Sequence, residues 1–466
     1  MRVEVERPAI AGDTVVFRWT QSEPNPYQYE NSFFLRYEGI DLTRFSVQLF
    51  YEVFLGLQLR VFAGYGRAVE LVFPEPVPYP VFAFWQAYHQ ADRVTMTPVA
   101  ETASYSPWAS SRSPRHDRRP NGVFFGGGKD STLAACLLSE LYGADSVVML
   151  QFVHPFRRGD AKMDQTTRRQ EELMLRPARE TLKVATQLAW TDYLAQLRFE
   201  GEGRRVRPNL ELYTAGLLPA LLDWGVAVCT PGLPRTAYHV TKGADGRYVF
   251  RYAKSRPEML ATQSRHYHEV MGADIALTNI IFLFTTLMDF RLLAERYPHA
   301  LKQIVMCVAA RPEERWCYQC RKCAEYAFLS LSCGVVDPDF DYDRFLARSQ
   351  YMTKMMTYAM SGVELSVYGN APWYPGMSAG THYLTFCHVF ARIDPDVVAG
   401  RLGPEAKANL TIAKALFGNR LFPSVELLST RTVDLIGTDV ARAVARIAAE
   451  HFEVVEDLPG PFMNGN

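Results

Sequence analysis

The sequence lacks an excess of charge of either sign. Lysine and arginine together number 50, aspartate and glutamate also number 50, and the formal net charge is zero. A protein with no net charge is not attracted over long distances to nucleic acid or to an anionic membrane surface. We therefore expect no nucleic-acid partner and favour a small-molecule or peptide substrate.

Long apolar runs and internal repeats are also missing. The most apolar stretch, residues 275–288, lies between Asp274 and Asp289 and is shorter than the roughly 20 residues that a helix needs to span a bilayer. The opening residues, MRVEVERPAIAG, have no apolar region of the kind found in a secretory signal. We expect a cytoplasmic protein with no membrane partner.

Cysteine is scarce outside one segment. Of 8 cysteines, Cys136, Cys229 and Cys387 stand alone among apolar neighbours, which argues against a disulfide framework. Four others follow the spacing Cys-X9-Cys-X2-Cys-X2-Cys, and they are Cys307, Cys317, Cys320 and Cys323. This set, here called the cysteine knuckle, is typical of a closed tetrahedral zinc site. An iron–sulfur cluster and free or redox-active thiols are the alternatives.

Three consecutive glycines stand in the segment GVFFGGGKDSTLAACLL, residues 122–138. The apolar residues before them predict the end of a buried strand, and the leucines after them recur at helical spacing. Glycine lets the backbone turn sharply, so that N–H groups at the helix N-terminus can converge on an anion. Residues 126–131, here called the glycine loop, are therefore predicted to bind a phosphorylated ligand.

The spacing excludes the two common nucleotide-binding loops. In a Walker A loop the lysine is followed directly by serine or threonine, whereas here Asp130 separates Lys129 from Ser131. A dinucleotide-binding fingerprint needs a third glycine near Ser131. A plain glycine-rich turn without function is the remaining alternative.

The glycine loop instead resembles the Ser-Gly-Gly-X-Asp-Ser loop of the PP-loop, or N-type, ATP pyrophosphatases, with Gly126 in place of the first serine. The resemblance implies that ATP is split to AMP and pyrophosphate while a carboxyl or carbonyl oxygen of the substrate becomes adenylated. It also implies that the adenosine lies at the end of the next strand. The residues implied to hold ATP are Gly126, Gly127, Gly128, Lys129, Asp130, Ser131, Gln151 and Phe152.

Two side chains of the loop have predicted roles. Asp130 is the expected Mg²⁺ partner, because a carboxylate in a phosphate loop would otherwise repel its ligand. Lys129 is expected to contact a phosphate oxygen, and a solvent-facing lysine is the alternative.

The segment around the cysteine knuckle resembles one particular family within this superfamily. RWCYQCRKCAEYAFLSL is similar to a segment of UDP-N-acetylmuramoyl-L-alanyl-L-glutamate epimerases, and the matching positions are Trp316, Cys320, Lys322, Cys323, Phe328, Leu329 and Leu331. Ala253-Lys254-Ser255, followed by Glu258, resembles a Ser-Lys-Ser stretch with acidic residues in the same family. The 7-cyano-7-deazaguanine synthases have nearly the same cysteine spacing.

The epimerase resemblance implies inversion of an amino-acid Cα. Adenylation removes the carboxylate charge and acidifies the Cα–H, so that one base can take the proton and a proton can return to the opposite face. Lys254 is our first choice for this base. The full set of acid–base candidates is Arg235, Tyr238, His239, Lys254 and Glu258.

Sequence patterns divide the chain into four parts. They are an N-terminal α+β domain (residues 1–105), a linker (106–120), an α/β domain (121–335) and a mixed, mainly helical region (336–466). In the third part strand and helix patterns alternate, which is typical of a parallel sheet covered on both faces; residues 274–297 are predicted helical and 303–308 a strand. By resemblance, this part is a PP-loop ATPase domain of HUP-like fold.

Three classes of function follow from these patterns. The first is an ATP-dependent epimerase acting on a peptide or small molecule that ends in a carboxylate, with ATP, Mg²⁺ and Zn²⁺ as cofactors. The second keeps the adenylation but forms an amide, nitrile or thiocarbonyl group. The third is a non-enzymatic zinc-knuckle module with a vestigial loop. A homodimer is the candidate oligomeric state.

Overall fold

The computed structural model describes most of the chain. The residues described are 1–109, 119–154, 165, 168–198, 210–235, 240–242, 248–250, 253–307, 310–311, 313–353, 381–418 and 421–458.

Within these residues, eleven strands join in one sheet and four short strands form two separate pairs. The strands are β1 (Arg2–Val5), β2 (Ala9–Ala11), β3 (Thr14–Gln21), β4 (Ser32–Tyr37), β5 (Val69–Pro78), β6 (Val94–Ala100), β7 (Asn121–Phe124), β8 (Val147–Val153), β9 (Ala185–Thr191), β10 (Val228–Pro231), β11 (Val240–Lys242), β12 (Tyr248–Phe250), β13 (Ala276–Leu277), β14 (Leu428–Ser429) and β15 (Val454–Val455).

The α-helices cover both faces of the central sheet and form most of the C-terminal region. They are α1 (Val47–Ala63), α2 (Tyr79–His89), α3 (Lys129–Tyr142), α4 (Arg176–Leu182), α5 (Glu211–Thr214), α6 (Leu218–Trp224), α7 (Pro257–Met271), α8 (Thr286–Arg296), α9 (Pro298–Leu301), α10 (Arg321–Ser332), α11 (Tyr342–Arg348), α12 (Thr381–Arg392), α13 (Pro404–Phe417), α14 (Thr430–Ile436) and α15 (Asp439–Ala448). A π-helical turn, Arg169–Leu175, leads directly into α4.

Five neighbouring strands of the sheet run parallel. Their order across the sheet is β9, β8, β7, β10 and β13. Counted along the chain from β7 this is the order 3-2-1-4-5, so the direction of strand addition reverses between β7 and β10. Such a reversal opens a crevice at the carboxyl ends of the two strands, where ligands bind in open α/β sheets. The predicted α/β class with a parallel central sheet is confirmed.

The N-terminal strands extend the same sheet. β4 pairs antiparallel with β9, placing Leu35 opposite Thr191 and Tyr37 opposite Ala189. Strands β3, β1, β5 and β6 follow beyond β4, and α1 packs on this part of the sheet, with its Phe54 ring 6.1 Å from the ring of Phe17. The hydrogen-bonded ladder is therefore continuous from the N-terminal part into the parallel part.

The sheet separates two hydrophobic cores. Side chains alternate along β8, so Met149 and Val153 face the first core while Leu150 and Phe152 face the second. The first core contains α3, α8, α10 and the C-terminal helices. The second contains α1, α2 and α5 to α7. Both faces of the sheet are thus covered, which explains why its central strands are mostly apolar.

One predicted strand is wrong. Residues 303–307 form no strand, and the fifth parallel strand is β13 instead. The segment is apolar because it packs in the first core, where Ile304 is fully buried. Its Val305 N–H donates to the carbonyl oxygen of Gly127 at 3.0 Å, so it contacts the glycine loop rather than a neighbouring strand.

The prediction of a helix over residues 274–297 holds only for its second half. β13 and a 3-10 turn, Ile280–Leu283, precede α8. The helix begins at Thr286 because the Thr285 side chain accepts a hydrogen bond from the N–H of Met288, which caps the first turn. Periodicity alone does not reveal this boundary, since the residues on both sides of it are apolar.

Helices α11 to α15 make the described C-terminal region mainly helical, as predicted. Among all the helices of the described ranges, we find none whose length and apolar character would let it cross a membrane.

Candidate functional site

The glycine loop connects the carboxyl end of β7 to the first turn of α3, and Gly128 is the N-cap residue of that helix. The N–H groups of a first helical turn have no acceptor within their own helix, so they are available to an anion. The Ser131 hydroxyl accepts from the Gly126 N–H at 3.2 Å and donates to the Gly128 carbonyl oxygen at 3.3 Å. These two hydrogen bonds hold the loop in a closed turn.

Two glycines are required by close approach. Gly127 has a φ of +71°, and a Cβ there would lie 2.4 Å from Met174 Cε. Gly232 follows β10, and a Cβ there would lie 2.7 Å from the backbone nitrogen of Ser131. At Gly126 and Gly128, in contrast, a Cβ would meet no atom of the described chain within 4 Å. The loop is therefore packed on its inner side and open on its outer side.

Lys129 is buried, so the alternative of a solvent-facing lysine is wrong. Its side chain is 1% exposed, and its Nζ contacts the Asp130 carboxylate. Asp289, in the first turn of α8, has Oδ2 3.7 Å from Nζ. Glu325, on α10, has Oε1 at the same distance of 3.7 Å. Three carboxylates from three elements thus surround one ammonium group.

The electrostatics of this cluster keep Lys129 charged. Burial lowers the pKa of Lys129, but the charges of Asp130, Glu325 and Asp289 outweigh burial and raise the pKa above its ordinary value. Burial and the neighbouring Asp130 charge raise the pKa of Asp289 well above the usual aspartate range. Burial also acts to raise the pKa of Glu325, but Lys322 and Lys129 lower it to about 2.

Arg235 lies four residues beyond the end of β10 and is 6% exposed. Its backbone N–H donates to the Phe284 carbonyl oxygen at 2.7 Å, and its Nη2 donates to the Leu427 carbonyl oxygen at 3.1 Å. Nε and Nη1 have no hydrogen-bond partner in the described part of the chain. Burial lowers the pKa of Arg235 to about 10, so the side chain remains a cation at neutral pH and is suited to charge stabilisation rather than to proton abstraction.

Gln151 and Phe152 lie within β8, and both are 1% exposed. The Phe152 ring packs 6.2 Å from the Tyr213 ring in the second core. Gln151 is on the opposite face of the strand, and its Oε1 has no hydrogen-bond partner within the described ranges. The phenyl ring is therefore not available to a ligand.

Lys254 lies beside the second core, and its partners differ from those of Lys129. Its Nζ is 2.6 Å from Glu211 Oε1 and 2.7 Å from His89 Nδ1. It also lies 4.5 Å from the centroid of the Tyr88 ring. Arg60 approaches the same Glu211 oxygen at 3.5 Å. One carboxylate, fully buried, thus serves two cations.

The balance of charges differs from that around Lys129. Burial lowers the pKa of Lys254 to about 8, because the single carboxylate of Glu211 offsets only part of the desolvation. Burial, followed by the Lys254 charge, lowers the pKa of His89 to about 3. His89 is therefore neutral near pH 7, and Lys254 can exchange a proton close to physiological pH.

The two lysine clusters flank the same edge of the sheet. Lys254 precedes α7, the helix that leads from the carboxyl edge of the sheet back to the start of β13. Tyr213, on the same short helix as Glu211, places its ring 5.7 Å from that of Phe124, the last residue of β7. The glycine loop and Lys254 thus lie on opposite faces at the carboxyl ends of the strands. His239 and Tyr238 lie outside the described residues.

The cysteine knuckle brings four sulfur atoms together. All four Sγ atoms lie within 4.8 Å of one another. Individual separations are 3.7 Å for Cys307 and Cys320, 3.8 Å for Cys317 and Cys323, and 3.6 Å for Cys320 and Cys323. A tetrahedron with Zn–S bonds of about 2.3 Å has edges of about 3.8 Å.

The knuckle could therefore hold a metal ion and is compatible with zinc. A multi-iron cluster distributes its cysteines over different irons and needs wider spacing. Hydrogen bonds from neighbouring thiols lower the pKa of Cys317, whereas the same neighbours raise the pKa of Cys323. Four thiolates at this spacing need a bound cation to be charged together.

Several site residues were missed by sequence reasoning. Asp289 and Glu325 are brought to Lys129 by tertiary packing, and the only sequence feature that marks Asp289 is its position at the end of the apolar run 275–288. Glu211 and His89 come from distant parts of the chain and carry no motif. A buried charged residue shows its partner only after the fold is known.

No protein-family model and no curated protein matches this chain.

Proposed function

We propose that the protein is an ATP-dependent epimerase of the PP-loop type. It adenylates the terminal carboxylate of an amino-acid residue and inverts the adjacent Cα, most simply L-Glu to D-Glu in UDP-MurNAc-L-Ala-L-Glu or a related peptide. The observation that carries this proposal is the location of the glycine loop at the reversal point between β7 and β10, at the N-terminus of α3.

The loop supplies the phosphate-binding groups. Its open outer side at Gly126 and Gly128 leaves room for an anion, and the free N–H groups of the first turn of α3 stabilise the pyrophosphate that departs. We assign Mg²⁺ to the carboxylate of Asp130, which is 20% exposed, and the ion would neutralise phosphate charge when bound. Arg235 adds a fixed positive charge beside the crevice.

Adenylation transfers the AMP group of ATP to the substrate. A carboxylate oxygen of the substrate attacks the α-phosphorus of ATP, the bond to the β-phosphate oxygen breaks, and an acyl-AMP and pyrophosphate result. The mixed anhydride lacks the negative charge that the carboxylate oxygens carried, so its Cα–H is more acidic than that of the carboxylate. Water later cleaves the acyl–phosphate bond and releases AMP.

Lys254 is the group that we assign to the Cα proton. Because its pKa is lowered to about 8, a substantial fraction is a neutral amine near pH 7.5 and can accept a proton. Glu211 at 2.6 Å stabilises the ammonium group that forms. A solvent proton added to the opposite face completes the inversion, and the Lys254 ammonium returns its proton to solvent. The cysteine knuckle, which we assign to zinc, is structural in this scheme.

The test is incubation with ATP, Mg²⁺ and UDP-MurNAc-L-Ala-L-Glu in D₂O. We expect release of AMP and pyrophosphate, deuterium at the glutamyl Cα, and D-Glu after hydrolysis. Pyrophosphate release that requires ammonia or a sulfur donor, without deuterium at Cα, would favour the amide, nitrile or thiocarbonyl alternative. A chain that binds no ATP at all would overturn the proposal.

A further inference from the structure

We infer that the cysteine knuckle sets the conformation of the glycine loop, so that metal binding at the first controls anion binding at the second. The inference rests on the phosphate-binding role proposed for the loop. Three independent contacts link the two sites, and they reach the loop from three different elements.

The first contact is a backbone hydrogen bond. Val305, two residues before Cys307, donates its N–H to the Gly127 carbonyl oxygen at 3.0 Å. In a trans peptide the C=O and N–H groups point in opposite directions. Because the Gly127 carbonyl points to Val305, the Gly128 N–H of the same peptide points away from it. The position of Cys307 therefore orients one of the amides available to an anion.

The second contact is an ion pair. Cys320 is the N-cap residue of α10, and Cys323 lies in its first turn. Glu325 follows on the same helix, 12% exposed, with its carboxylate 3.7 Å from Lys129 Nζ. Fixing the two cysteines on a metal ion fixes the start of α10 and thereby the carboxylate that holds the first residue of α3.

The third contact runs through the π-helical turn Arg169–Leu175. At its start, the Arg169 guanidinium donates to the carbonyl oxygens of Cys307 at 2.5 Å, Arg311 at 2.8 Å and Arg315 at 3.3 Å. Near its end, Met174 packs directly against Gly127. One rigid turn thus joins the backbone around the knuckle to the inner side of the glycine loop.

The knuckle is therefore a positioning element for the loop. The four sulfurs lie 3.6–3.8 Å apart, which are the edge lengths of a tetrahedral metal site, so that removal of the ion removes the bonds that hold them in this arrangement. Movement of Cys307 shifts Val305 and the Cys307 carbonyl group that Arg169 holds, while movement of Cys323 shifts Glu325. The loop then loses the orientation of its Gly128 amide and one of the three carboxylates around Lys129.

The experiment first measures hydrogen–deuterium exchange in the glycine loop and then measures ATP binding. Hydrogen–deuterium exchange of peptides covering residues 126–131 is compared, without nucleotide, in the metal-loaded protein, in the chelator-treated protein and in two variants. Cys317→Ser removes a knuckle ligand, and Cys333→Ser is its control because Cys333 lies outside the four-sulfur cluster. We expect faster exchange in the loop after chelation and in Cys317→Ser, but not in Cys333→Ser.

The variant Glu325→Gln tests the ion-pair contact without removing a metal ligand, so that loss of the metal or global unfolding does not explain its result. It retains all four cysteines, so its metal content should equal that of the wild type, while ATP binding measured by calorimetry weakens about 10-fold, the lower end for loss of a supporting contact. Glu313→Gln is the matched control, since Glu313 is exposed and close to the knuckle in sequence. We expect unchanged ATP binding in this control.

The outcomes separate the inference from the proposed function. A folded, metal-free protein with wild-type loop exchange would overturn the inference even if ATP binds. Wild-type ATP affinity in Glu325→Gln would overturn the ion-pair contact. Coupled exchange in a protein that never binds ATP would support the inference and remove the proposed function.

Discussion

Two lysines in this molecule, Lys129 and Lys254, both contact carboxylates, but their pKa values are shifted in opposite directions. Lys129 has a side chain that is 1% exposed and Lys254 one that is 22% exposed, and each contacts a carboxylate directly. Yet the pKa of Lys129 is raised and that of Lys254 is lowered to about 8. The number of carboxylates explains the difference, because Lys129 has three around it and Lys254 has one that it shares with Arg60.

The comparison shows that burial alone does not decide what a lysine does. Around Lys129 the acidic groups outweigh desolvation, so the ammonium is a permanent part of the glycine loop. Around Lys254 desolvation is larger than the attraction of Glu211, so the proton is easily lost. The first lysine is suited to hold a structure together and the second to carry a proton.

The largest expected effect comes from Lys129→Met. The substitution leaves the carboxylates of Asp130, Asp289 and Glu325 without their shared cation, and loss of one partner of a buried charge group costs about 3–5 kcal/mol. We expect that decrease in the free energy of unfolding, measured by urea denaturation. Lys407→Met, at an exposed position on α13, is the control. An equal decrease in Lys254→Met would break the contrast between the two lysines.

Lys254→Met should affect chemistry more than stability. Loss of a positioned general base typically costs about 10²–10⁴-fold in rate. We expect deuterium incorporation at the substrate Cα to fall by that factor while pyrophosphate release continues, because Lys254 is not among the groups that we propose to bind ATP. Parallel loss of both signals would place Lys254 in adenylation instead of proton transfer.

Glu211→Gln should move the pH dependence. The Glu211 charge raises the pKa of Lys254, so its removal lowers that pKa by about one unit. The rate of Cα exchange requires the neutral amine, and its acidic limb should therefore shift to lower pH by the same amount. Glu269→Gln, exposed on α7, should leave the profile unchanged. A shift to higher pH would contradict the assigned charge state.

Asp289→Asn should have the smallest effect at neutral pH. Burial and the Asp130 charge raise the pKa of Asp289 and so disfavour its charged form. A neutral amide at this position should therefore change the free energy of unfolding by less than about 1 kcal/mol. The folded state binds the proton more tightly than the unfolded state, so this group's stabilisation is complete below about pH 3.9 and declines as the pH rises through the folded pKa. Urea denaturation at pH 5 and pH 8 should show the wild type losing stability relative to Asp289→Asn.

The sequence was most informative where chemistry is local. Periodicity predicted the parallel sheet, since its central strands are continuous apolar runs, and cysteine spacing predicted the four-sulfur cluster. The glycine pattern located a strand, a turn and a helix within a few residues of their positions, with β7 ending at Phe124 and α3 beginning at Lys129. Each of these signals lies within a short window of the chain.

Predictions failed or were missing where distant segments meet. The apolar residues 303–307 suit a strand and a buried irregular segment equally well. The structure decides between the two, because β13 occupies the position of the fifth parallel strand, next to β10. The burial of Lys129 depends on carboxylates 160 and 196 positions away in sequence, and a long polar side chain in a glycine-rich loop gives no local indication of it. Tertiary contacts of this kind are not encoded in any one window.

The antiparallel pairing of β4 with β9 has a consequence for shortened forms of the protein. Removing residues 1–105 would leave the backbone of Ala189, Trp190 and Thr191 without the strand that now pairs with it. Unpaired strand edges recruit strands from other molecules and lead to aggregation. The N-terminal part thus protects the edge of the parallel sheet at β9, and a trimmed chain should aggregate through this edge.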